Sequence, residues 1–281
     1  MGVTRQSFHE WLNRTSNQFE LEAQLLTIVR KIRLEHPKMS ARTMYPYLKV
    51  KGIGRDKFIK LCVNHGLSVD IKRNPRRTTD SSGVKRFPNL ILELKIVKAH
   101  QVWVSDITYY QIGARFYYLT FIMDLYSRFI VGYSIAKDLR TVSTTLPALK
   151  RAIDDHNPNP GTILHSDGGG QYYAKAFVKA TKHFQNSMTS DLAQNNHAER
   201  LNSTIKNDYL SCYMPTSFAE LQSECDRAVW QYNFNRPHQS LNNLIPANVL
   251  GETTNLNSTF TNLNNLFHNP VYNSSKTVRV I

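Results

Sequence analysis

Two periodicities divide the chain. Through its first seventy or so residues apolar side chains recur every three or four positions, the spacing of helices with one buried face. The sequence places Thr4 as the cap of GVTRQSFHEWL, an amphipathic helix over 20–35, a Ser40-capped helix reaching Lys49, a tight turn at Gly52 and Gly54, and a helix over 55–65 ended by Gly66. From residue 101 the texture changes. WVSDITYYQI, RFYYLTFIMDL and RFIVGYSIAK are β-branched and aromatic runs separated by a Gly113 turn and an LYSR turn, which predicts an antiparallel meander. A helix over 141–156, a short buried strand TILHS, a helix over 173–183, a strand over 185–189 and helices over 195–210 and 217–234 complete the pattern. Residues 252–281 are rich in Asn, Thr and Ser with little periodicity and predict a loosely ordered tail.

The order strand, strand, strand, helix, strand, helix, strand, helix predicts an α/β fold of the ribonuclease H-like kind, a mixed five-stranded sheet with flanking helices, preceded by an all-α region. Within that region, two short helices joined by a glycine turn form the pattern of a helix-turn-helix, whose second helix enters a DNA major groove. Arg55, Lys57 and Lys60 would then face DNA. Residues 72–86 (KRNPRRTTDSSGVKR) lack periodicity and read as a basic linker in which Arg73, Arg76 and Arg77 could follow a phosphate backbone. The implied divisions are 1–70, a helical DNA-binding region; 71–95, the linker; 96–250, the α/β core; and 251–281, the tail.

Charge sharpens this division. The chain carries a formal net charge of +14 and a pI near 9.7. Residues 1–100 hold +12 of that charge and residues 101–281 only +2. A cationic front half is suited to phosphate, and a balanced second half is suited to other work. Cys62, Cys212 and Cys225 are far apart and include no CxxC pair, which argues against a zinc or redox motif and for reduced, structural thiols. No run approaches the roughly 20 apolar residues of a membrane span. The polar opening MGVTRQSFHEWLNR has no secretory h-region, which implies a cytoplasmic protein.

Three acids stand in telling surroundings. Asp106 interrupts a strand made otherwise of Trp, Val, Ile, Thr and Tyr, where a carboxylate is poorly placed unless it faces a cleft. Asp167 ends TILHS and precedes three glycines, at the strand edge where ligands of α/β sheets collect. Glu199 lies on a predicted helix whose Ala198, Leu201 and Ile205 would turn inward, while Asn195, Glu199, Asn202 and Lys206 share a neighbouring face. That face would offer one metal ligand flanked by DNA-contacting groups. Three carboxylates brought together repel by roughly 4 kcal/mol per pair at about 4 Å and an effective dielectric near 20, so a cation is expected among them. Oxygen donors without Cys or His suit Mg²⁺, or Mn²⁺ in its place, and two such ions would serve phosphoryl transfer. Asp124 and Asp191 are the competing acids. Asp124 precedes the LYSR turn and fits a turn cap; Asp191 sits in a loop.

The strings WVSDITY, FIMDLYSRFIVGY, HSDGGGQY, NNHAERLNSTIKNDY and YNFNRPHQSLNNLIPANVL are similar to those of the OrfB transposases of the insertion sequence three family, part of the retroviral integrase superfamily. The resemblance extends to MSARTMYPYLKVKGIGRDKF and RFPNLI and so covers nearly the whole chain. One departure is the 31 residues between Asp167 and Glu199, a few fewer than the family usually has. The resemblance implies a DDE triad of Asp106, Asp167 and Glu199, magnesium-dependent cleavage at transposon ends, and strand transfer into target double-stranded DNA. It also implies a homo-oligomer on DNA, a companion OrfA protein, a bacterial cytoplasm with the protein on the nucleoid when bound, and DNA contacts from Arg236 and His238. A catalytically inactive DNA-binding regulator is the alternative function. No HHCC zinc module precedes the core, which separates the chain from the retroviral integrases themselves.

Overall fold

The computed structural model describes residues 4–69, 87–189 and 195–251. Arg73, Arg76, Arg77, Asp191, most of the basic linker and all but the first residue of the tail lie outside the described residues. The chain forms two compact units.

The first unit is helical. The expected break between two N-terminal helices is absent: α1 runs unbroken from Arg5 to Glu35. The polar stretch 13–17 contains neither Gly nor Pro, so nothing interrupts the hydrogen-bond ladder, although only the second half of the helix buries apolar side chains. Thr4 caps α1 by accepting the Ser7 N–H at 3.3 Å. Helix α2 (Ala41–Leu48) is capped by Ser40, whose hydroxyl accepts the Thr43 N–H, and α3 (Arg55–Asn64) follows a turn in which Gly52 takes φ 79°. Leu25, Val29 and Ile32 of α1, Met44 and Leu48 of α2, and Phe58, Leu61 and Cys62 of α3 close one core. Arg55, Lys57 and Lys60 remain exposed on α3 because Phe58, Leu61 and Cys62 claim its inner face.

The second unit is built on one sheet of order β3-β2-β1-β4-β5. Strands β1 (Val102–Ile112), β2 (Arg115–Asp124) and β3 (Ile130–Ala136) form the antiparallel meander. Gly113 at φ 57° turns the first hairpin. Asp124 closes the second: it is fully buried and accepts the Ser127 N–H at 2.8 Å, the Ser127 hydroxyl at 2.6 Å and the His100 N–H at 2.8 Å. It is therefore a turn cap, with its carboxylate already spent. Helix α4 (Thr145–His156) crosses to β4 (Ile163–Ser166), and α5 (Lys175–Ala180) to β5 (Gln185–Met188); β1, β4 and β5 run parallel. Helix α6 (Asn196–Ser203) continues as a π-helical segment over Thr204–Leu210 and a final turn, α7 (Ser211–Tyr213); α8 (Phe218–Phe234) and α9 (Pro246–Leu250) follow.

Alternation along β1 sends neighbours to opposite cores. Val102 and Val104 pack with α6 and α8, whereas Trp103 packs with α4 and α5. Where α4 approaches β3, a Cβ on Gly132 would lie 2.7 Å from the Ala152 Cβ and would also strike the Ala148 carbonyl oxygen. Gly132→Ala is therefore expected to destabilise the fold by roughly 1–3 kcal/mol, the cost of overpacking against backbone. Urea unfolding of the two proteins tests this, and an unchanged midpoint would show that α4 can move aside freely.

Candidate active site

The register of β1 and β4 positions the first two acids. Ser105 pairs with Ser166 across the parallel ladder, and one residue further along each chain come Asp106 and Asp167. Adjacent strands lie about 4.8 Å apart, and registered side chains in a parallel pair share a face. The two aspartates thus stand side by side where β4 ends. Asp106 accepts the Ile107 N–H at 2.9 Å through one oxygen and the Asn202 amide at 2.8 Å through the other. Asp167 accepts the Gly169 N–H at 3.0 Å, a turn made possible by Gly168 at φ 79°.

Helix α6 supplies the third acid. Ala198, Leu201 and Ile205 pack into the core, as their spacing predicts, and the side chain of Glu199 is left exposed. Asn195 and Asn202, expected as DNA contacts, are 3% and 6% exposed. Asn195 donates to the Ser105 carbonyl at 3.3 Å, and Asn202 to Asp106. Lys206 is half-buried, donates to the Thr108 hydroxyl at 3.1 Å and lies 4.6 Å over the Tyr109 ring. The helix face adjoining Glu199 is turned toward β1, because Asp106 and Thr108, which share the face of Val102 and Val104, offer acceptors along it.

Arg236 and His238, expected as DNA contacts, lie at the α8 end of the unit. Arg236 is largely buried, donating to Asp208 at 2.8 Å and to the Tyr209 hydroxyl at 3.5 Å. His238 packs edge-on to Tyr232 with ring centroids 4.6 Å apart, and burial, Arg236 and Arg128 push its pKa down to about 3, leaving it neutral. Both are packed against the Tyr209 and Tyr232 side chains of this unit. Beneath the site lies a buried pair that sequence reasoning missed, the Ser105 and Tyr172 hydroxyls 2.9 Å apart. Period-2 alternation, which sends Ser105 to the face opposite Asp106, was the available signal.

The acids repel one another. Burial raises the pKa of Asp106 to about 7, with Asp167 and Glu199 adding repulsion against the bonds from Ile107 and Asn202. Burial likewise raises Asp167, against the bond from Gly169. Burial lowers Lys206, while Asp106 pulls it back up. A carboxylate whose charge is disfavoured by burial and by neighbouring acids is suited to a hard cation, and the donors here are oxygens without Cys or His. Among the described residues, however, no group of three or more His, Cys, Asp or Glu side chains is close enough to hold an ion. Asp106 and Asp167 adjoin, and Glu199 stands on the neighbouring helix without completing a cluster.

Two family profiles, both described as "Integrase core domain", match residues 97–190 and 183–246. The chain is 29% identical over 259 residues to the "Insertion element IS600 uncharacterized 31 kDa protein" of Shigella sonnei, covering 88% of this chain and 94% of that protein. It is 27% identical over 219 residues to the "Transposase for insertion sequence element IS629" of Shigella sonnei, covering 75% of this chain and 73% of that one. The chain belongs to the insertion-sequence transposases with an integrase core. This transposase is accordingly a polynucleotidyl transferase that carries out DNA transposition. The HTLV-2 integrase catalytic core domain, solved in complex with magnesium, aligns with 55% of this chain and 98% of its own at 19% identity and a TM-score of 0.45. Among the described residues no helix of the transposase is long and apolar enough to cross a membrane.

The shift at Asp106 has a thermodynamic sign. Its folded pKa of about 7 lies above the ordinary 3.8, so the folded state binds more protons than the unfolded state between those values. Stability therefore falls as pH rises through that window, by a few kcal/mol at most, and is lowest above pH 7. Asp106→Asn removes the charge and is expected to raise the metal-free unfolding temperature at pH 8 with little effect at pH 4. Thermal unfolding at both pH values checks this; a loss of stability at pH 8 would contradict the electrostatic account.

Proposed function

We propose that Asp106, Asp167 and Glu199 form the DDE triad of an OrfB-type transposase of the insertion sequence three family, which cuts DNA at transposon ends and joins the freed 3′ ends to target DNA. The observation that carries this reading is the placement of Asp106 beside Asp167 at the end of β4, with its proton affinity raised by burial and by both other acids. Side by side on one face, the two aspartates would hold divalent cations from the sheet. Glu199, exposed and without an ion pair among the described residues, would reach them from α6 by turning its side chain. Two Mg²⁺ ions, or Mn²⁺ in their place, would supply activation of the attacking oxygen and neutralisation of the leaving 3′ oxygen. The chain's own part is to fix the carboxylates: Ile107 and Asn202 hold both oxygens of Asp106, and Gly169 holds one of Asp167.

The basic front half supports the DNA-binding half of the reading. Arg55, Lys57 and Lys60 are exposed on α3, though Arg55 lies 3.0 Å from Asp56 and Lys57 3.7 Å from Glu22. The Arg55–Asp56 pair is exposed and therefore weak, whereas the Glu22 partner of Lys57 is partly buried. Residues 1–70 would bind transposon-end DNA, 71–95 would link them to the catalytic core of 96–250, and 251–281 would form a polar tail. Homo-oligomers on DNA and an OrfA companion complete the reading.

Asp167→Ala and Glu199→Ala are each expected to reduce cleavage of end DNA with Mg²⁺ by at least a hundredfold while leaving end binding intact. Cleavage that survives either substitution removes that residue from the triad. Replacing Lys57 or Lys60 with Ala is expected to weaken binding and to reduce the dependence of log Kd on log salt by about one for each phosphate the lysine neutralises. An unchanged slope in a filter-binding titration would take these cations off the interface. A second reading is favoured by the lack of a three-member acidic cluster among the described residues: a DNA-binding regulator with a silent core. It predicts salt-sensitive end binding and no nicking at any Mg²⁺ or Mn²⁺ concentration.

A further inference from the structure

We propose that Asn195 and Asn202 are positioning residues, a two-point clamp that sets the rotation of α6 on β1 and so holds Glu199 toward Asp106 and Asp167. The inference rests on the triad reading above. The two amides lie four residues before and three residues after Glu199. Asn202 lies on α6, rotated roughly 60° from Glu199 at about 100° per residue, and Asn195 is the residue that precedes the first turn of the helix, close to the same side. Each donates its N–H to consecutive residues of β1, Asn195 to the Ser105 carbonyl at 3.3 Å and Asn202 to the Asp106 carboxylate at 2.8 Å. Glu199 therefore sits between two fixed points, and rotation of the helix that would carry it away from the aspartates would break both bonds.

The amides' other ends point the same way. The carbonyl oxygens of Asn195 and Asn202 are buried with no hydrogen-bond partner among the described residues. An apolar side chain of similar size would fill the same space without stranding an acceptor, so packing alone does not account for two asparagines. What distinguishes each from an apolar filler is the bond its N–H makes. Asn202 acts on Asp106 directly and on Glu199 through the helix, whereas Asn195 touches only backbone and acts through α6. Lys206, bonded to Thr108, extends the same line of contact one turn further, where the helix becomes π-helical.

The test uses the full chain with Asn195→Ala, Asn202→Ala, Glu199→Gln and the double variant Asn195→Ala with Glu199→Gln. Four readouts are taken: end-DNA Kd and its salt slope, thermal unfolding, Mn²⁺ binding by calorimetry without DNA, and the rate of end cleavage. The clamp predicts that each asparagine variant loses roughly tenfold or more in cleavage rate and in Mn²⁺ affinity, while Kd and its salt slope stay the same. It further predicts that Asn195→Ala has no additional effect on Mn²⁺ affinity once Glu199 is Gln, because the group it positions is gone. Weaker end binding with a shallower salt slope would overturn the clamp and restore a DNA contact. Full cleavage and Mn²⁺ affinity in both asparagine variants would overturn it as well, as would an Asn195→Ala effect undiminished in the Glu199→Gln background. Should Asn202→Ala fail to fold, Asn202→Ser, which keeps a shorter donor, and the Asn195 series carry the same test. Failure of the triad reading is separately visible as unimpaired cleavage by Glu199→Gln alone.

Discussion

The parallel pairing of β1 with β4 sets what the second unit can do, because it brings together two residues 61 positions apart in the chain. Ser105 opposite Ser166 fixes the register, and a slip by one residue would turn Asp106 into the opposite core beside Trp103 and Tyr172. The register is held by alternation: Val102 and Val104 go to one core and Trp103 to the other, so a slipped strand would bury the wrong side chains on both faces. The same pairing that secures the fold crowds two carboxylates. Burial and like charge then raise Asp106 toward neutrality, an electrostatic cost that the fold accepts at this one place.

Around that pair the structure assigns polar residues to support. Asp124 spends its oxygens on the β2–β3 turn, Arg236 on Asp208 and Tyr209, and Asn202 on Asp106 itself. Gly132 allows α4 to press against β3, and Gly168 lets the chain turn away directly after Asp167. Such residues look alike in sequence: an acid, an amide or a glycine in a polar string. Their division into support and chemistry follows from burial and from which partners are already satisfied.

The two units suit a division of labour within a transposase. One presents exposed cations on a helix whose inner face is committed to its own core, and the other brings Asp106 and Asp167 together on a sheet within residues 101–281, whose charge is nearly balanced. Helix α3 carries three exposed cations, Arg55, Lys57 and Lys60, against one acid, Asp56. Lys206 is a cation near Asp106, and burial lowers its pKa.

Sequence alone determined the strands and most helices, since their apolar periods of 2 and about 3.6 are local and each run is bounded by a turn residue or a cap, as with Gly113, Ser40 and Ser217. It also singled out Asp106, Asp167 and Glu199, whose surroundings are unusual for acids, and the basic character of α3. It missed the continuity of α1, because polar residues with weak helix preference resemble a break until the ladder is seen to pass through them. Tertiary structure decided which face of α6 meets β1, and therefore that Asn195 and Asn202 are buried supports. A helix period reports which residues share a face but not what lies against it. Only packing against a second, distant segment supplies that information.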